Sequence, residues 1–83
     1  MERRVGTALI KVCSKESVSS LNEVISRYSD IIIARQGIPL RDKGFSLISI
    51  VFEGDNDMVG ALTGQLGKLK DIEIKSVLLK STI

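Results

Sequence analysis

Histidine and tryptophan are absent from these 83 residues, cysteine and proline occur once each, and the aromatic side chains are one tyrosine and two phenylalanines. Without histidine the chain lacks the usual general base, the usual triad partner and the commonest metal ligand. We therefore expect a protein that is not an enzyme and has neither metal nor cofactor. The lone Cys13 excludes a disulfide within the chain and fits a reducing compartment. It falls at the end of a predicted strand with nothing to deprotonate it, so it is expected to be a buried structural thiol. The longest apolar run, residues 31–34, is far too short to cross a bilayer. Residues 1–4 are basic, but Gly6 and Thr7 interrupt the apolar segment after them and no signal-peptide core forms, so a cytoplasmic location without membrane contact is expected. Charge of one sign is also scarce: twelve basic and ten acidic residues are scattered, giving +2, so direct nucleic-acid binding is not expected.

What is present is enough for one core, and a single domain over 1–83 is expected. Residues 5–13 have strand character, and residues 17–29 place Val18, Leu21, Ile25 and Tyr28 at helical spacing, with Val24 beside that stripe. Residues 31–35 form a short β-branched run. Gly37-Ile38-Pro39 and Asp42-Lys43-Gly44 punctuate a connection, and residues 45–53 form a second long β run. Residues 54–57 offer a helix N-cap with acidic residues near the positive end of the helix dipole. A helix over 56–70 comes next, and residues 72–79 form the last strand. The order βαββαβ predicts an α+β, ferredoxin-like fold with two helices on one face of a four-stranded antiparallel sheet.

A sheet covered on one side and wet on the other should alternate apolar and polar residues. In the third strand Phe45, Leu47 and Val51 oppose Ile48, Ile50 and Phe52, and in the first Val5, Leu9 and Cys13 oppose Ala8, Ile10 and Val12. Both faces are apolar, while the chain has helix enough for one. The open face is expected to be a subunit interface of a homo-oligomer, a dimer or tetramer.

In the second helix Met58, Leu62, Leu66 and Leu69 cluster on one side with Val59 at their margin, and Gly60, Gly64 and Gly67 cluster opposite. Three glycines inside a helix cost about 2 kcal/mol relative to alanine. A second backbone or a ligand passing close to a side-chain-free surface would offset that, although Gly67 can equally end the helix. These glycines do not form a phosphate loop, because they lie within the helix. Asp55 and Asp57 lack the spacing of a calcium loop and are read as capping residues. Arg35 and Gly37 flank a turn, where a guanidinium can hold an anion or simply be solvated. An RNA-reading sheet needs aromatics on its two middle strands. The first strand has none, and Phe45 and Phe52 face opposite sides.

The stretch 55–69, with its three glycines, and then residues 72–80, resembles a family of small bacterial ACT-like proteins labelled iron-only hydrogenase system regulators. The likeness extends upstream through residues 31–35, Gly37-Ile38-Pro39 and residues 45–53, and in the N-terminal third it is one of pattern only. It implies a βαββαβ fold related to ACT regulatory domains and to the C-terminal domain of nickel-responsive repressors, which bind small effectors or metal at subunit interfaces. Those repressors take nickel mainly through histidines, and this chain has none. Amino-acid-binding ACT domains usually place a glycine between the first strand and helix, where this chain has Ser14-Lys15-Glu16-Ser17. No DNA-binding arm is evident, so contact with DNA is expected to need another polypeptide. The resemblance thus implies a non-enzymatic regulatory domain binding a small effector or a protein partner at a subunit interface. Ser14, Lys15, Arg35, Gly37, Gly60, Gly64 and Gly67 are the candidate effector or interface residues. The alternative is a structural assembly or maturation partner with no small-molecule ligand.

Overall fold

The structure, a computed structural model, describes residues 3–81. The extreme ends of the domain expected over 1–83 lie outside the described residues. Strand β1 (Arg3–Val12) leads to helix α1 (Lys15–Arg27), β2 (Ile32–Leu40), a 3-10 turn (Arg41–Lys43), β3 (Phe45–Asp55), α2 (Asn56–Gly67) and β4 (Ile72–Ser81). The strands lie in the order β2-β3-β1-β4, every neighbour antiparallel. This is the ferredoxin-like arrangement, with β1 and β3 in the middle.

Both helices start where the sequence supplies a side-chain acceptor. The Ser14 hydroxyl accepts from the backbone N–H of Ser17 at 3.2 Å, and the Asp55 carboxylate accepts from that of Met58 at 2.8 Å. Caps of this kind contribute about 1 kcal/mol each. The core lies between the helices and one sheet face. Leu21, Val24 and Ile25 of α1 and Val59, Leu62 and Leu66 of α2 close over Ala8, Ile10, Val12, Ile48, Ile50 and Phe52. The buried stripe of α2 therefore centres nearer Val59 than the periodicity predicts, and Met58 is left at the exposed margin. Gly67 is the last helical residue, and Leu69 packs on the core from the turn beyond it.

Two local expectations are corrected. Gly37-Ile38-Pro39 is not a connection: β2 runs through it, with Pro39 opposite Ser46. β2 is the sheet edge, where a missing N–H can face away from the ladder. Cys13 is exposed, because β1 ends one residue before it and the chain turns out toward α1. The glycines that are tightly packed lie in strands. A Cβ on Gly6 would stand 2.6 Å from Leu78 Cδ2 and 2.7 Å from the Val77 carbonyl oxygen, and one on Gly54 would stand 2.9 Å from Ile31 Cγ2.

Candidate functional site

Cross-strand partners share a sheet face, so the registers define the side that the helices leave open. From β2 to β4, one row is Ala34, Val51, Thr7 and Val77, the next Gln36, Ser49, Leu9 and Lys75, and a third Ile38, Leu47, Lys11 and Glu73. Val5 and Leu79 extend the surface at one end, Leu40 and Phe45 at the other. The two-sided strands expected from the sequence are therefore present. Leu9 is 52% exposed, Ile38 42%, Val77 61% and Leu79 63%. Polar groups on this face are partly occupied. The Thr7 hydroxyl donates to the Ile50 carbonyl at 2.8 Å, and the Lys11 ammonium stands 4.6 Å from the centre of the Phe45 ring. Such a cation–π contact holds Lys11 against the aromatic. A shallow, almost wholly apolar depression of about 200 Å³ lies between Val5, Val51, Val77 and Leu79.

At the Phe45 end a second concavity of about 210 Å³ opens beside the start of α1. Cys13, Ser14, Lys15 and Val18 form one wall, and Pro39, Leu40, Gly44 and Phe45 the other. Phe45 thus belongs to both the cleft and the open face. Gly44 makes the opposing turn with φ +75, a conformation that side chains resist, and nothing lies within 4 Å of its missing Cβ. Ser14 is committed to structure here. The buried Ser17 hydroxyl donates to the Lys70 carbonyl at 2.9 Å and stands 2.8 Å from the Ser14 hydroxyl. Because the Ser17 proton is used on Lys70, Ser14 donates to Ser17. Lys15 is exposed at the mouth of the cleft.

The remaining candidates are dispersed. Arg35 lies on the helix side of β2 and hydrogen-bonds Asn22 of α1, joining the edge strand to that helix. Gly37 faces the same side, opposite Ile48, with open space around its missing Cβ. Gly60, Gly64 and Gly67 are exposed on α2, and apart from their chain neighbours and the helix's own backbone nothing described comes within 4 Å of where their Cβ atoms would be. The chain itself supplies no close backbone there. The structure brings together Ser14 and Lys15, with Cys13, Pro39, Gly44 and Phe45 as neighbours that sequence reasoning did not select. Only the turn signal at residues 42–44 hinted at them. Among the described residues no three His, Cys, Asp or Glu side chains gather as a metal-ligand group, and no helix is long and apolar enough to cross a membrane.

No curated protein matches the chain. Among solved structures, an uncharacterized protein from Thermotoga maritima, TM1266, superposes with a TM-score of 0.87 at 34% identity, covering 95% of this chain and 100% of that one. The de novo designed protein Foldit4 superposes at 0.66 with 14% identity, over 96% of this chain and 99% of the design. A formyltetrahydrofolate deformylase from Pseudomonas putida superposes at 0.62 with 10% identity, over 88% of this chain and 28% of the enzyme. The last two likenesses are of fold alone. A family model described as "Iron-only hydrogenase system regulator, putative" matches residues 4–76, nearly the whole described chain. With the 34% identity to TM1266, this places the protein in the TM1266-like family.

Proposed function

We propose that this protein is a non-catalytic, ACT-like regulatory domain that self-associates through the open face of its sheet and takes a small effector or a protein partner where that face meets the Lys15 cleft. The observation that carries the reading is the apolar open face itself. Four strands about 4.8 Å apart and about nine residues long, at about 3.3 Å each, present about 570 Å². Two copies face to face would bury about 1,100 Å², which clears the roughly 1,000 Å² expected of a specific contact. The charges on this face suit a second copy, since Lys11 and Lys75 are balanced by Glu53 and Glu73. A two-fold can set each sign against the other. Phe45, shared by cleft and face, would let a ligand in the cleft bias the assembly.

Native mass spectrometry of gently purified protein tests both parts. We expect a dimer or tetramer whose subunit number falls when Leu9, at the centre of the face, is replaced by lysine while the circular dichroism spectrum is kept. An unchanged mass for Leu9→Lys would overturn the interface. Retained extra mass that Lys15→Glu abolishes would support an effector. A ligand-free oligomer would favour the structural assembly or maturation role instead.

A further inference from the structure

The two edges of the sheet are built differently. β2, at one edge, contains a register shift between Ile32 and Ala34, an unencumbered Gly37 and the only proline, Pro39. Bulges, proline and charged side chains, lysine above all, are devices by which edge strands avoid pairing with other chains. β4, at the opposite edge, has neither bulge nor proline, and its charges lie outside residues 76–79. It pairs with β1 without interruption from Ile72 opposite Val12 to Ser81 opposite Arg3. Its lysines, Lys75 and Lys80, flank an unguarded Ser76-Val77-Leu78-Leu79. Those three aliphatics are among the most exposed large hydrophobics, Val77 and Leu79 on the open face and Leu78, 45% exposed, on the helix side. This segment is therefore apolar on both sides of the sheet.

Backbone direction can be read from one contact within the ladder. The Val77 carbonyl oxygen would stand 2.7 Å from a Cβ on Gly6 of β1, so it points toward β1. Odd-numbered residues of β4 thus turn their backbone groups toward β1. Alternation along a strand sends those of Ser76, Leu78 and Lys80 outward, away from the sheet.

We propose that β4 is a pairing edge whose occupant is β4 of a second copy, joined antiparallel about a two-fold at Leu78 into one eight-stranded sheet. In this register Ser76, Leu78 and Lys80 exchange about six N–H···O bonds across the two-fold. Leu78 meets its own counterpart, Val77 meets the second copy's Leu79, and Lys80 meets Ser76, so no like charges fall opposite each other. The two-fold stands perpendicular to the sheet, which keeps the helices of both copies on one side. It also carries the apolar Val5, Val77 and Leu79 surface across into the second copy. The edge contact is separate from the face contact of the proposed function. A face-packing two-fold lies parallel to the sheet, and the two axes together close a tetramer.

Hydrogen exchange of the wild-type protein, read residue by residue at high concentration, tests the edge without any substitution. The amides of Ser76, Leu78 and Lys80 are expected to be protected when assembled and to lose that protection on dilution. Free exchange of these three amides in the assembled protein would overturn the proposal. Leu78→Lys, which sets two cations against each other at the two-fold, and Ser76→Pro, which removes an outward donor, are each expected to halve the mass of a tetramer and leave a dimer. Ser76→Pro also serves as the second variant should the lysine disturb packing near Gly6. Masses equal to wild type for both variants would overturn the edge contact whatever Leu9→Lys does. A wild-type dimer split by the edge variants but not by Leu9→Lys would support the edge and sink the face. A wild-type monomer at high concentration would overturn both.

Discussion

Replacing Gly60 and Gly64 together by alanine tests whether anything rests on the outer face of α2. Both residues are in the helix and exposed, and a Cβ at either meets nothing within 4 Å. The added methyl groups therefore find no steric opposition within the described chain. Each restricts the unfolded backbone and improves helix propensity, worth about 0.5 to 1 kcal/mol per site. One helical turn separates the two residues, yet neither has a tertiary neighbour through which to couple, so the gains should add to about 1 to 2 kcal/mol. For a domain of this size that is an increase in Tm of roughly 4 to 16 °C. Urea unfolding at two protein concentrations, with the slope checked for constancy, measures the change and separates folding from assembly. A loss of stability, or a drop in oligomer mass, would refute the reasoning. It would mean that a neighbouring subunit or ligand approaches the glycines closely in the working protein.

Two further substitutions probe the packing. Gly6→Ala should destabilise by about 2 kcal/mol or more, because the new Cβ meets the Val77 carbonyl oxygen, a backbone atom that cannot swing aside; a urea midpoint equal to wild type would contradict the close approach. Ser17→Ala should cost about 1 to 3 kcal/mol by leaving the Lys70 carbonyl without its side-chain donor, and exchange of amides in the 68–71 turn should accelerate.

The element order was legible because each period is carried by several residues: Leu21, Val24 and Ile25 for α1, and the alternation of Ile48, Ile50 and Phe52 against Leu47 and Val51 for β3. The α2 cap was legible because Asp55 and its partner Met58 are three residues apart, whereas the same role of Ser14 at the start of α1 was not read from the sequence. The full length of β2 was not, since Gly37 and Pro39 are turn formers by composition and only the strand's position at an edge makes them tolerable there. Cys13 shares the odd-numbered parity of Val5 and Leu9, so it follows the face that the helices leave open, and its burial was the part of the expectation that failed. The tight glycines escaped notice for a different reason. What crowds Gly6 comes from Leu78 and Val77, far away in sequence, and no local pattern announces it. The cleft is likewise assembled from residues 12–18 and 39–46, whose proximity depends on the sheet between them.

The position of β1 has a consequence for synthesis. It is made before the other three strands of the sheet and sits inside it, with β3 on one side and β4 on the other. Ribosomes deliver about 5 to 20 residues per second, so this strand waits for seconds before its last neighbour emerges. During that interval Ala8, Ile10 and Val12 can be covered by α1, but the side of β1 that β4 will occupy stays an open ladder. A nascent chain halted before residue 72 would therefore present its central strand as a raw edge, which makes the ten-residue β4 the step that covers β1.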